Sequence, residues 1–351
     1  MDTVNSNAQP RILIVGNRGG TNVGECFERA AASLGFDVRL LESRKAMDAP
    51  PWMRRFNWHL RGHRPTRLNC FSEAVHQGCR QWRPDVLLTT GLAPVARQAL
   101  ARVRSLGVVS LNYLTDDPWN RSHYATWFME ALGQYDFVFS PRRANLVDLK
   151  AAGCRTVGYL PFAYDPSIHF IEAAPSGREY DSDVLFIGGA DRSRVRYCRA
   201  IVSDGLRLSL YGDYWDRYNE TRNSFRGYAD LKTSRTASAG AKICLCLARR
   251  ANRDGHVMRT FEVPAMGGCM LTEDTAEHRE LFGPDGEAVV YFRSIPDMVQ
   301  RAKWLLQHET ERRRLAATAH ARITQGRNTY AHRLQAMLEA VRLKPTASLL
   351  Q

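Results

Sequence analysis

Long apolar runs are missing from this chain. None approaches the roughly 18–20 residues that a bilayer-spanning helix needs, so a helical integral membrane protein is excluded. The first ten residues, Met1 to Pro10, are polar and carry neither the basic nor the apolar segment of a secretory signal. Among the eight cysteines there is no CxxC pair. Cys244 and Cys246 alternate along a predicted strand and face the same way, but no neighbouring Cys or His completes a zinc set. Reduced, buried thiols and a cytoplasmic protein are therefore expected. Acidic residues are also scarce: 36 against 49 basic ones, giving a net charge of +13. The arginines are spread through both halves, and no nucleic-acid motif gathers them, so no nucleic acid is expected. A basic solvated surface or attraction to nucleotide diphosphates and anionic lipid surfaces remains.

What is present is a rhythm. With 44% hydrophobic residues in 351, the chain can fill two ordinary cores. A short apolar run, 11–15, ends in a glycine-rich loop, Gly16 to Gly24, followed by a helical pattern over 26–34 and a strand over 37–41. That opening predicts a parallel sheet with right-handed crossovers. Further strands are predicted at 86–90, 108–114, 137–140 and 156–160, with helices between them. Residues 168–182, with Pro175 and Gly177, break the pattern and predict an interdomain linker. The rhythm restarts with strands at 183–187, 207–211, 242–247, 269–271 and 288–292, and a charged helical stretch, 295–341, closes the chain. The expected fold is α/β: two Rossmann-like, doubly wound domains, 1–170 and 180–345, facing a cleft, with C-terminal helices.

The densest chemistry lies in Arg259-Thr-Phe-Glu262-Val-Pro-Ala-Met-Gly267-Gly268. It predicts a helix of about two turns, a glycine stop and a buried strand. A carboxylate at such a helix start suits sugar hydroxyls, and an arginine fork suits phosphate. After the strand at 183–187, Gly188-Gly189 forms a turn in which backbone can approach a phosphate closely. Arg194 is the first candidate to clamp that phosphate and Arg192 the second. Tyr211 ends another strand and either stacks a nucleotide base or packs in the core.

The pattern Arg-x-Phe-Glu-x-x-Ala-x-Gly, then an apolar strand, then an acidic turn, resembles the donor motif of two-domain GT-B glycosyltransferases. The bacterial CgeB-like, spore-maturation-protein-like family is the nearest likeness, and Asn112-Tyr-Leu-Thr-Asp-Asp-Pro-Trp119 shares in it. The resemblance implies a nucleotide sugar bound by the C-terminal domain and an acceptor (glycan, lipid-linked or small molecule) on the N-terminal side. It implies Arg259 at the pyrophosphate or nucleotide, and Glu262 as the second acid of a Glu-x7-Glu pair, on the ribose. The first acid falls on Asp254, one methylene shorter, which puts the donor-sugar contact in question. It also implies a metal-free, retaining reaction with no cofactor besides the sugar nucleotide.

Three first-domain features complete the set. Asp116-Asp117 follows a strand at the carboxyl end, where ligands of open α/β sheets sit, so one acid is expected to contact the acceptor or close the cleft, with Asp117 the catalytic candidate beside Asp254 and Glu262, and Asp116 on the acceptor or cleft loop. Asp117, before a proline, is equally a turn starter. Gly19 and Gly20 lie in a loop spaced unlike GxGxxG, which argues against NAD; they either face the cleft or only allow a tight turn. The arginine- and tryptophan-rich segment 52–67 suits either a solvated face or a peripheral membrane contact at the inner face.

Overall fold

The computed structural model describes residues 10–173 and 179–342. Met1 to Gln9, part of the predicted linker including Pro175 and Gly177, and the residues after 342 lie outside it. Two compact units result.

The first unit begins with β1 (Arg11–Gly16), α1 (Val23–Ser33) and β2 (Asp37–Glu42). It continues through α2 (Pro51–Leu60), α3 (Leu68–Trp82), β3 (Val86–Thr90), α4 (Arg97–Ser105) and β4 (Val109–Tyr113). α5 (Thr126–Leu132), β5 (Phe137–Ser140), α6 (Asn145–Ala151) and β6 (Val157–Tyr159) complete its sheet. All six strands are parallel, in the order β2-β1-β3-β4-β5-β6. Strand side chains alternate between faces. Leu13, Val15 and Leu87 bury against α3, α4 and α5 through Phe71, Val75, Leu100 and Phe128. On the opposite face Phe27 of α1 sits edge-on to Tyr113, with ring centroids 5.4 Å apart. Both faces are covered, which is why the strands read as near-continuous apolar runs.

The second unit holds β7 (Ser182–Ile187), α7 (Arg192–Ser203), β8 (Leu208–Tyr211), α8 (Leu231–Gly240) and β9 (Ala241–Cys246). α9 (Arg259–Ala265), β10 (Met270–Glu273), α10 (Ala276–Phe282), β11 (Val290–Phe292), α11 (Ile295–Gln307) and α12 (Glu309–Gln325) follow. Its five parallel strands run β11-β10-β9-β7-β8. Leu245 and Leu271 pack with Val195, Ile201 and Met298 on one face, while Cys246 and Thr272 turn to the other.

The doubly wound expectation is met in each unit, and predicted strand positions agree to within a residue or two. The linear division at 170/180 is not how the contacts cluster. The break falls between Pro161 and Phe162. Residues 250–253 and the last helix, α13 (Tyr330–Arg342), belong with the first unit. Tyr330 packs edge-on to Phe27 at 5.2 Å, and the buried Arg333 donates to the Pro161 carbonyl at 2.8 Å. Periodicity marks a helix but carries no information on which core receives it.

Candidate functional site

Strand order locates the site in the second unit. β7 has β8 on one side and β9 on the other, so the chain reverses direction across the sheet between β7 and β9. Ligands of open α/β sheets bind beyond the carboxyl ends of such a pair. Asp191 caps α7 there, its Oδ1 accepting from the Ser193 and Arg194 amides at 2.9 Å each. The cap turns Arg194 over the strand ends. Its Nη1 donates to the Gly189 carbonyl at 3.0 Å and its Nη2 to the Leu247 carbonyl at 3.5 Å. One guanidinium thus joins the ends of β7 and β9, 5.4 Å above the Phe186 ring. Burial, then the nearby Arg249, lowers its pKa from the ordinary arginine value.

Arg259 reaches the same edge, with Nε donating to the Ile187 carbonyl at 3.2 Å. Arg249, in the loop after β9, lies 3.9 Å from Asp191. Three guanidinium groups therefore surround the end of β7. Arg249 was missed in the sequence, although its place just past a strand facing the reversal point was a usable signal. Gly188 and Gly189 are stitched to the next strand end: the Gly188 amide donates to Tyr211 at 2.8 Å and the Ala190 amide to Asp213 at 2.8 Å. The indole of Trp215 donates to the Gly188 carbonyl at 2.8 Å. At Gly212 (φ +125°) a Cβ would lie 2.6 Å from that carbonyl, so only glycine fits. Tyr211 itself is buried in the strand, and Tyr214, three residues on, is exposed.

Helix α9 ends as expected, in a Schellman turn: Gly268 donates to the Val263 carbonyl at 3.0 Å and Gly267 to Pro264 at 2.9 Å, with Gly267 at φ +78°. Glu262 is fully buried. Its Oε2 is paired with Arg259. Among the described residues its Oε1 has no hydrogen-bond partner, and His169 Nε2 lies 3.6 Å away. His169 Nδ1 accepts from the Asp165 amide at 3.0 Å, which puts the ring proton on Nε2, facing the carboxylate. His169, in the segment read only as a linker, carried no sequence signal.

Beneath α9, Thr260 Oγ1 accepts from the Val257 amide at 3.1 Å and meets His278 Nε2 at 3.0 Å. His278 Nδ1 lies 2.8 Å from the Glu273 carbonyl. Burial pushes its pKa down to about 4, so the ring is neutral, donating to Glu273 and accepting from Thr260. Asp254 accepts from the Arg249 amide at 3.1 Å and closes the 249–254 turn.

In the first unit the reversal lies between β1 and β3. Gly19 (φ +96°) and Gly20 (φ +60°) take left-handed conformations in the loop after β1. The Gly19 amide is held by Glu25, and the Arg18 amide by Glu42 at 3.0 Å, so carboxylates occupy donors that a phosphate would use. Asp117 is 1% exposed and fully engaged. Arg253 grips it through Nε at 2.6 Å and Nη2 at 3.1 Å, while Asn145 and the Trp119 amide each donate at 3.0 Å. The bond from the Trp119 amide closes a turn on the Asp117 side chain. Asp116 is more open and accepts from Asn252 at 3.1 Å. Among the described residues no group of His, Cys, Asp and Glu is arranged to hold a metal ion.

Comparison with known structures shows the fold. Sucrose-phosphate synthase from Thermosynechococcus elongatus superposes with a TM-score of 0.69 at 15% identity, covering 95% of this chain and 99% of that one. A UDP-forming α,α-trehalose-phosphate synthase from Burkholderia xenovorans gives 0.63 at 14%, covering 97% and 100%. The Anabaena protein HepE in complex with UDP-glucose gives 0.58 at 11%, covering 95% and 99%. At such identities the likeness is one of fold: the chain has the GT-B fold of glycosyltransferases. More particularly, residues 192–339, most of the second unit, match the family described as glycosyl transferase-like. No curated protein matches the chain in sequence.

Proposed function

We propose that the protein transfers a sugar from a nucleotide-diphosphate sugar to an acceptor, as a metal-independent, retaining enzyme of the CgeB-like kind. The observation that carries this reading is the Arg194 guanidinium lying across the ends of β7 and β9, with Arg249 and Arg259 beside it. A departing diphosphate gathers negative charge at its β-phosphate, and preorganised arginines stabilise that charge without a metal. The Gly188–Gly189 backbone admits the phosphate closely, and Arg194 and Arg259 bind it. When Arg259 turns to the diphosphate it uncovers Glu262, whose carboxylate then accepts from ribose hydroxyls. Asp254, at the position of the first acid, faces the transferred sugar. Gly19, Gly20 and Asp116 belong to the acceptor side. The sugar nucleotide is the sole co-substrate, and the cytoplasm is its source. The solved complex of HepE with UDP-glucose supports a uridine nucleotide as first choice. No described helix is long and apolar enough to cross a membrane, so a lipid-borne acceptor would be met at the membrane surface.

A second reading, a catalytically inactive sugar-nucleotide- or polysaccharide-binding protein, is favoured by Asp254 alone, shortened and already engaged by the Arg249 amide. Thermal shift against UDP, GDP, TDP and ADP sugars, followed by assay of released nucleotide, separates the two. Stabilisation with release supports transfer, and stabilisation without release supports binding. No stabilisation by any of them overturns both. Transfer that EDTA abolishes and Mn²⁺ restores overturns the metal-free mechanism.

A further inference from the structure

Surface helices normally turn apolar residues inward and polar ones outward. Helix α2 does the reverse. Its single buried residue is Asn57, whose amide donates to Thr66 Oγ1 at 3.0 Å. Its large apolar residues point to solvent: Trp52 is 65% exposed, Phe56 50% and Leu60 72%. Spaced by four, these three share one stripe of the helix. Trp58, stacked on His63 with centroids 4.1 Å apart, is also exposed. A cavity of about 890 Å³ opens beside them, lined by Met47, Trp52, Trp58, Arg54, Arg55 and Arg64.

Along α2 and the segment after it the charge has one sign, the exposed Asp48 lying just before them. From Ala49 to Ser72 there is no aspartate or glutamate, and Arg54, Arg55, Arg61, Arg64 and Arg67 lie within it. A protein partner with an apolar patch would satisfy the tryptophans, but it would leave five cations unmatched. Water would satisfy the arginines, yet it leaves the apolar stripe uncovered, contrary to the usual economy of surfaces. An anionic bilayer supplies both at once: an interface where indole rings reside and a negative surface potential.

We propose that α2 lies in the plane of an anionic membrane, with Trp52, Phe56 and Leu60 set into the headgroup boundary and the flanking arginines on lipid phosphates. The inference does not depend on the transferase reading, because it rests on no residue of the nucleotide site.

Flotation of the full chain with phosphatidylcholine vesicles, with and without phosphatidylglycerol, tests it. The expected result is flotation with phosphatidylglycerol vesicles, a blue shift of tryptophan emission, and weakening as salt is raised. The triple variant Trp52→Ala/Phe56→Ala/Leu60→Ala should lose at least about tenfold in vesicle binding. Because the three side chains are exposed, it should keep the wild-type melting temperature and nucleotide-induced shift. Arg54→Gln/Arg55→Gln should weaken binding and flatten its salt dependence. Protein that stays in the aqueous fraction with anionic vesicles overturns the proposal, as does equal binding to phosphatidylcholine alone. Self-association of the wild type that the triple variant abolishes would assign the surface to a second copy instead.

Discussion

His169 presents its Nε2–H to the Oε1 of Glu262 from 3.6 Å, in a pocket where both residues are almost wholly buried. With Arg259 on the other oxygen, the carboxylate is held between two cationic or proton-bearing groups. A buried acid so placed has one orientation, and Arg259 is held by it until a diphosphate draws the guanidinium away. Glu262→Gln keeps the shape and removes the charge. We expect the donor KM to rise at least about tenfold and the melting temperature to fall as the buried pair with Arg259 is weakened, since charge-assisted hydrogen bonds are each worth about 1.5–3 kcal/mol. His169→Ala should raise KM in the same direction, and His169→Gln, which restores an N–H donor, should recover part of the loss. Unchanged donor kinetics in Glu262→Gln would remove the assigned role.

Arg194 gives a sharper test of the anion site. Lysine keeps the positive charge but cannot span the Gly189 and Leu247 carbonyls as the guanidinium does. Arg194→Lys should weaken binding of a nucleoside diphosphate by about tenfold, a loss of ~1.4 kcal/mol, while the nucleoside alone binds as before. Equal losses for nucleoside and diphosphate, read by calorimetry, would show that the arginine merely holds the fold.

Asp117 should behave differently, because its oxygens are already taken by Arg253, Asn145 and the Trp119 amide. Asp117→Asn should cost about 2 kcal/mol in urea unfolding, the worth of a charged hydrogen-bond set with a partly exposed partner. Nucleotide binding should persist. A variant of wild-type stability but abolished turnover would return Asp117 to the chemistry.

Much of this was readable in advance for one reason: the fold repeats a local code. Strand, tight turn and helix are set by nearest neighbours, so the apolar run ending at Ile187, the Gly188–Gly189 turn and the Gly267 stop announced themselves. The partners of Glu262 did not. His169 precedes it by 93 positions, a difference of 262 and 169, and nothing local ties a linker histidine to a donor-site acid. Asp117 was ambiguous for the same reason, since Arg253 arrives from a segment 136 residues away. The return of α13 to the first unit was hidden because its heptad-like apolar stripe fits any sheet. Helix α2 shows the opposite limit: its composition was legible, but only burial could tell that the aromatic stripe faces outward.

His278 provides a pH test of the layer beneath α9. Burial holds its folded pKa at about 4, below the 6.5 of an exposed histidine. At neutral pH both folded and unfolded chains carry the neutral ring, and the contribution to stability is fully present. As pH falls through 6.5 the unfolded chain takes up a proton that the folded one refuses, until about pH 4. Stability should therefore drop across that window, by about 3 kcal/mol in total from this group. The acids Glu73, Asp183 and Asp274 are held near 2 by their arginine and lysine partners and add their losses only at lower pH. In His278→Gln the amide can still donate to Glu273 and accept from Thr260, so the protein should fold. Its urea-unfolding free energy should fall less steeply between pH 6.5 and 4.5, by about one proton's slope, ~1.4 kcal/mol per pH unit. An identical slope in wild type and variant would show that His278 already carries its proton in the folded chain, and that the Thr260 hydroxyl points the other way.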